Sequence, residues 1–199
     1  MRYAIDVVIL PPDPVADLSV AWNKRLSAIK DQSIVLDKTA TMPHISLLMG
    51  CMSEAGLVTA QALMPTLLNR HQAMRLHVTG LQVTEGSHPV AALDIALSDP
   101  LARLQQDLIQ TLKPVITQDA KETDLKDPPP IGASVLTWIN AFIPEQCGDK
   151  FWPHITLGHG RPGENQDDFI FMATRIAICH LGNHCTCRSI LWEGNLFPG

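Results

Sequence analysis

The chain has 199 residues, 46% of them hydrophobic and 18% charged, with a formal net charge of −5. That length suits one well-cored domain or two small lobes on a shared core, and the composition excludes a disordered chain. The acidic balance excludes broad electrostatic binding to long nucleic acid, which needs many Lys and Arg on phosphates, but leaves room for a short nucleotide in one pocket.

The run from Tyr3 to Leu10 is apolar and β-branched and ends at Pro11-Pro12, which predicts a buried strand. It is too short to span a bilayer and carries Asp6 in its middle. Asp13-Pro14 suits a helix start, and Val15, Leu18, Trp22, Leu26 and Ile29 recur at helical spacing to about Lys30. Residues 43–50 read as a second strand, and Ser53 caps a helix reaching about Asn69. Strands are expected near 74–84 and 90–97, joined by a turn at Gly86-Ser87. A helix over 99–116 carries Leu101, Leu104, Leu108 and Leu112 on one face.

Residues 119–131 break the composition. The prolines at 128–130 cannot be helical and favour an extended segment. A short helix is expected at about 133–143, a strand at 152–158, a short helical piece around 166–172, and strands near 174–182 and 186–194. Five scattered cysteines (Cys51, Cys147, Cys179, Cys185, Cys187) are unlike a secreted disulfide framework. With no secretory signal or membrane span legible, a cytoplasmic monomer is expected.

One pattern occurs twice: Pro43-His44-Ile45-Ser46-Leu47 and Pro153-His154-Ile155-Thr156-Leu157. Such internal repetition predicts an α+β fold of two pseudo-symmetric lobes. Each lobe is an antiparallel sheet with helices on one face, and a cleft lies between them. Residues 1–199 form one bilobed domain, the first lobe drawn mainly from 1–98 and the second from 99–199. On a strand, alternate side chains share a face. His44 with Ser46, and His154 with Thr156, therefore present an imidazole and a hydroxyl opposite the apolar Ile45, Leu47, Ile155 and Leu157.

A neutral imidazole can take a proton while a protonated one gives a proton to a leaving oxygen, and the hydroxyls can hold non-bridging phosphate oxygens. This chemistry needs no metal and no cofactor. The paired H-x-[ST] motifs resemble those of the two-histidine (2H) phosphoesterase superfamily, which includes RNA 2′,3′-cyclic phosphodiesterases and 2′,5′-RNA-ligase-like proteins. The resemblance implies a bilobed fold with both motifs in the central cleft. It also implies His44 and His154 as catalytic groups, with His154 as base and His44 as acid, and Ser46 and Thr156 on the substrate phosphate. A small nucleotide or RNA end with a 2′,3′-cyclic or 2′-linked phosphodiester is the expected substrate. A nucleotide-binding module without turnover and an RNA 2′,5′-ligase are the competing readings.

Trp152 can stack a nucleobase, although a core role is the commoner one for a buried aromatic. Lys150, Arg161 and Arg188 are expected to be solvated charges. His71, His77, His88, His159, His180 and His184 are read as structural. His159 is expected on the face opposite His154, provided that the strand stays regular past Gly158. His180, His184, Cys185 and Cys187 invite a zinc reading, but strong zinc signatures use wider, paired spacings. Cys185 and Cys187 are instead expected to share one face of a strand as core thiols.

Overall fold

The computed structural model of the protein describes residues 1–29, 33–86 and 89–198. Lys30, the side chain of Ile29, Ser87 of the expected turn and His88 lie outside the described residues. Two four-stranded antiparallel sheets dominate the architecture. The first contains β1 (Arg2–Leu10), β2 (Ile45–Ser53), β7 (Arg175–Leu181) and β8 (Cys187–Asn195), in the order β2-β1-β7-β8. The second contains β3 (Met74–Val83), β4 (Val90–Ile95), β5 (His154–His159) and β6 (Phe169–Ala173), in the order β5-β4-β3-β6. Each motif strand, β2 or β5, is therefore the edge of its sheet, and the two edges pack against each other.

The two lobes do not divide the chain at residue 98. Each sheet takes two strands from before that point and two from after it. Antiparallel pairing needs only neighbouring edges, so β3 and β4 join the later motif strand while β7 and β8 close onto β1. The helices cross over as well. The first, α1 (Asp13–Ile29), leaves the first sheet and packs on β5 of the second. Conversely, α3 (Asp99–Leu112) leaves the second sheet and packs on β2 of the first, beside α2 (Glu54–Leu68).

Local signals explain these elements. The Ser53 hydroxyl accepts the Gly56 N–H at 3.0 Å, capping α2 as its sequence requires. In α3, Leu101, Leu104, Leu108 and Leu112 are buried on one stripe, joining a core that runs through both sheets. The region expected to be helical at 166–172 forms β6 instead. Its side chains alternate, with Phe171 and Ala173 inward and Ile170 and Met172 exposed, which is the period of a strand. Consequently a helix follows the first motif strand but not the second. The segment after the triple proline forms two short helices, α4 (Ala133–Asn140) and α5 (Phe142–Gln146). With Ala120, Leu125 and Ile131 they bury Val135, Ile139 and Phe142 against Ala4, Met49 and Cys51 of the first sheet. No helix among the described residues is long and apolar enough to cross a membrane.

Candidate active site

Between the motif edges lies a cavity of about 420 Å³, lined by His44, Ser46, Trp152, His154 and Thr156 together. All five residues singled out in the sequence thus reach one space. The two imidazoles are held in the same way. His44 Nδ1 donates to the Met42 carbonyl at 2.7 Å, and His154 Nδ1 donates to the Trp152 carbonyl at 2.9 Å. A carbonyl only accepts, so each Nδ1 carries the hydrogen and each Nε2 keeps its lone pair for chemistry.

Burial is the main electrostatic influence on both rings. It lowers His44 to about 4, against the upward pull of the Met42 carbonyl, and the neighbouring His154 lowers it further. His154 is also lowered by burial, but the Trp152 carbonyl and the Asp94 carboxylate pull it back up. An indole face supports it too: the Trp152 and His154 rings stack with centroids 4.0 Å apart. Trp152 Nε1 donates to Asp94 at 2.6 Å, and the Thr79 hydroxyl donates to the same carboxylate. One face of Trp152 is thereby committed to His154 and its nitrogen to Asp94.

The hydroxyls are not equivalent. Ser46 Oγ donates to Asp6 Oδ2 at 2.6 Å, which commits its single proton to a protein carboxylate. Thr156 makes no side-chain hydrogen bond among the described residues, which leaves its proton for a ligand. Asp6 is wholly buried on β1, and desolvation pushes its carboxyl well above the usual carboxylate range. The Ser46 hydroxyl and the Leu48 and Leu47 N–H groups oppose that rise. The Asp6 carboxylate lies 3.7 Å from His44 Nε2.

His159 also lines the cavity, on the same side as His154, contrary to the odd-even expectation. The reason is a bulge. Ala92 pairs with Thr156 and Ala91 with Gly158, so Leu157 is an extra residue and the alternation slips by one. The first motif carries the same bulge: Val8 pairs with Ser46 and Val7 with Leu48, leaving Leu47 extra. In both copies the residue five after the histidine, Met49 or His159, returns to the cavity wall. The His159 and His184 rings meet edge to face at 6.1 Å.

The remaining wall is largely apolar and comes in part from α4 and α5, through Val135, Trp138 and Phe142. The sequence predicts a short helix over about 133–143, but none of these residues is singled out there as part of the site. Lys150, Arg161 and Arg188 do not line the cavity. Lys150 pairs with Glu145, and Arg188 is held by Asp127 and Thr41. The cysteines differ from expectation too. Cys187 lies on β8, but Cys185 sits in a 3₁₀ turn with φ of 54°, so the two do not share a strand face. Nor do His180, His184, Cys185 and Cys187 gather into one ligand set. His180 is spent on the Asp124 carbonyl at 2.9 Å. The group of potential ligands that does form among the described residues is Asp6, His44 and Cys187.

Comparison with known proteins places the family and the fold. The model of the 2′-5′ RNA ligase superfamily matches residues 14–176. No curated protein matches the chain. Among solved structures, TT0787 of Thermus thermophilus is 16% identical and aligns over 98% of each chain with a TM-score of 0.59. E. coli LigT in complex with ATP is 11% identical over 99% of each chain, with a TM-score of 0.61. The same protein with 3′-AMP is 12% identical over 99% of each chain, with a TM-score of 0.57. At these identities the likeness is one of fold.

Proposed function

This chain belongs to the 2′-5′ RNA ligase superfamily, and from that premise we propose that it is a metal-independent phosphodiesterase using His44 and His154 as its proton carriers. Its substrate is a small nucleotide or RNA end bearing a 2′,3′-cyclic or 2′-linked phosphodiester. The observation that carries this reading is the matched pair of imidazoles, each with Nδ1 fixed on a backbone carbonyl, bordering one cavity.

Hydrolysis of a cyclic diester requires one group to take a proton from water and another to give one to the leaving ribose oxygen. A new P–O bond forms to the water oxygen as the bond to the leaving ribose oxygen breaks, and that oxygen takes the proton given by the acid. The electrostatics favour His44 as base and His154 as acid, the reverse of the order implied by family resemblance. His44 is the ring pushed down to about 4 and so is neutral near neutrality, whereas Asp94 and the Trp152 face favour a charged His154. Thr156 donates to a non-bridging oxygen. Ser46 supports the site through Asp6 instead, with its own proton already placed.

The cavity wall holds no Lys or Arg among the described residues, which favours a substrate with one phosphodiester charge over a polyphosphate or a long RNA. E. coli LigT has been solved with ATP, with 3′-AMP and with NADP⁺, so its fold accepts small nucleotides, and we carry that property over to this chain. In this reading the enzyme acts as a cytoplasmic monomer without a cofactor, and Trp152 offers its remaining face to a base. The test is ³¹P NMR of nucleoside 2′,3′-cyclic monophosphates and 2′,5′-linked dinucleotides incubated with the protein in EDTA. Conversion to a ring-opened monophosphate is expected. Binding of these ligands with no turnover would leave a nucleotide-binding module, and joining of RNA ends would make it a ligase.

A further inference from the structure

We propose that Asp6, His44 and Cys187 form an inhibitory zinc site that shuts the cavity's chemistry by occupying His44 Nε2. The three side chains come from β1, the entry to β2 and the start of β8. They meet because the Met42–His44 segment is bridged to β8, where Met42 N–H donates to the Cys187 carbonyl at 3.2 Å. Their donor atoms, one nitrogen, one oxygen and one sulfur, all lie within 4.8 Å of one another. The His44 Nε2 to Asp6 Oδ2 separation is 3.7 Å. Around a tetrahedral zinc with bonds of about 2.0–2.3 Å, donors stand roughly 3.3–3.7 Å apart, so no pair need close by more than about 1.5 Å.

Three features make these residues a ligand set and not merely neighbours. His44 presents Nε2 while its Nδ1–H is held by the Met42 carbonyl, the outer-shell arrangement that orients a metal-binding imidazole. Asp6 is fully buried, and its Oδ1 makes no hydrogen bond of ordinary length and angle among the described residues. The Ser46 hydroxyl and the Leu47 and Leu48 N–H groups only partly offset its burial, and a cation would add a charged partner. Finally, charge balances. One carboxylate, one thiolate and one neutral imidazole around Zn²⁺ sum to zero, the least unfavourable total for a buried site. The thiol proton, and any proton that Asp6 carries, leave to buffer as the Zn–S and Zn–O bonds form. Of the three ligands His44 lines the cavity, so a metal held on its Nε2 would border the space where a substrate phosphate sits.

Metal binding stands on these residues alone, whereas inhibition rests on the reading of His44 as a proton carrier. The experiment separates the two. Metal-free wild type, Cys187→Ala and Cys185→Ala are titrated with Co²⁺, read by absorbance, and then with Zn²⁺, read by turnover of a 2′,3′-cyclic nucleotide. Wild type and Cys185→Ala should bind Co²⁺ with a thiolate-to-cobalt charge-transfer band, release a proton, and lose turnover on adding Zn²⁺. Cys187→Ala should lack the band, bind roughly 100-fold more weakly or worse, and keep its turnover in Zn²⁺. Should Cys187→Ala fail to fold, Asp6→Asn, which keeps an acceptor for Ser46, should show the weakened Co²⁺ binding in its place. No sulfur-to-cobalt band in wild type, or a band lost in Cys185→Ala and retained in Cys187→Ala, overturns the site. Zinc bound at the triad with full turnover overturns its inhibitory role. Metal-free wild type that turns over no phosphodiester overturns the phosphodiesterase reading instead, and the cobalt spectra then decide the site by themselves.

Discussion

Asn23 of α1 and Gln105 of α3 play matching parts on the two motif strands, each donating a buried side-chain amide to the carbonyl of a bulged leucine. Asn23 Nδ2 reaches Leu157 O at 2.7 Å, and Gln105 Nε2 reaches Leu47 O at 3.2 Å. A bulge leaves backbone groups out of the ladder, and a buried carbonyl without a partner destabilises the fold. The crossed-over helices thus satisfy the distortion that turns Met49 and His159 towards the cavity. Asn23 does more than Gln105, since it also donates to Ile34 O at 2.9 Å and accepts Leu36 N–H at 3.0 Å.

Asn23→Ala should therefore lower stability by about 3 kcal/mol, and Gln105→Ala by about 1–2 kcal/mol, from the desolvated groups each leaves unpaired. Urea denaturation midpoints measure both. A loss for Asn23→Ala no larger than that of Lys24→Ala, an exposed change on the same helix, would show that the amide does not hold the bulge.

Replacing His44 or His154 by Ala should reduce the catalytic rate by roughly 10²–10⁴, the usual worth of a placed acid or base. The double variant should be little slower than the poorer single, because half of a proton relay has little value without the other half. Steady-state rates on a 2′,3′-cyclic nucleotide give the comparison. Full activity in folded His44→Ala is the result that rules the two-histidine mechanism out.

Ser46→Ala and Thr156→Ala should differ in kind. Removing the Ser46 hydroxyl strips a buried carboxylate of its 2.6 Å donor, so both stability and rate should fall, stability by about 1–3 kcal/mol. Removing the Thr156 hydroxyl should slow turnover by about tenfold or more while leaving the melting temperature nearly unchanged. Equal stability losses for the two would mean that the Asp6 contact contributes nothing.

The pH dependence follows from the direction of the shifts. Both histidines are depressed, His44 from 6.5 to about 4. The singly protonated pair is therefore most populated on the acid side of neutrality, and kcat/KM should peak there. NMR titration of the imidazoles should show His154 taking up its proton at higher pH than His44; the opposite order would return the acid role to His44. Stability has a matching sign. A depressed His binds fewer protons folded than unfolded, so its contribution is whole above about 6.5 and is lost as pH falls towards 4. His44→Ala should accordingly flatten the acid side of the melting-temperature profile between those values.

Chelation provides the last test. The two imidazoles and Thr156 supply every proton transfer and anion contact proposed here, so exhaustive EDTA treatment should leave turnover intact. It should raise turnover if zinc is carried on Asp6, His44 and Cys187. Activity lost on chelation and restored by Zn²⁺ would contradict both the mechanism and the inhibitory site.

Wherever a pattern repeats within a few residues, the sequence by itself determined the outcome. Ser53 marked the start of α2, the leucines of α3 marked its buried stripe, and the repeated Pro-His-Ile marked two strands whose imidazoles would share a cleft. Capping, helical spacing and strand alternation are local interactions, and they act on neighbours that the sequence shows directly. Tertiary structure decided the rest. The bulges at Leu47 and Leu157 shift the parity of each strand, and they depend on pairing with β1 and β4 and on amides from distant helices. The exchange of strands between the two halves, the wall built by α4 and α5, and the meeting of Asp6 with Ser46 and Cys187 likewise join residues far apart in the chain. Long-range pairing and burial fix which groups lose water together. That loss of water determines the proton affinities of His44, His154 and Asp6, which no local pattern carries.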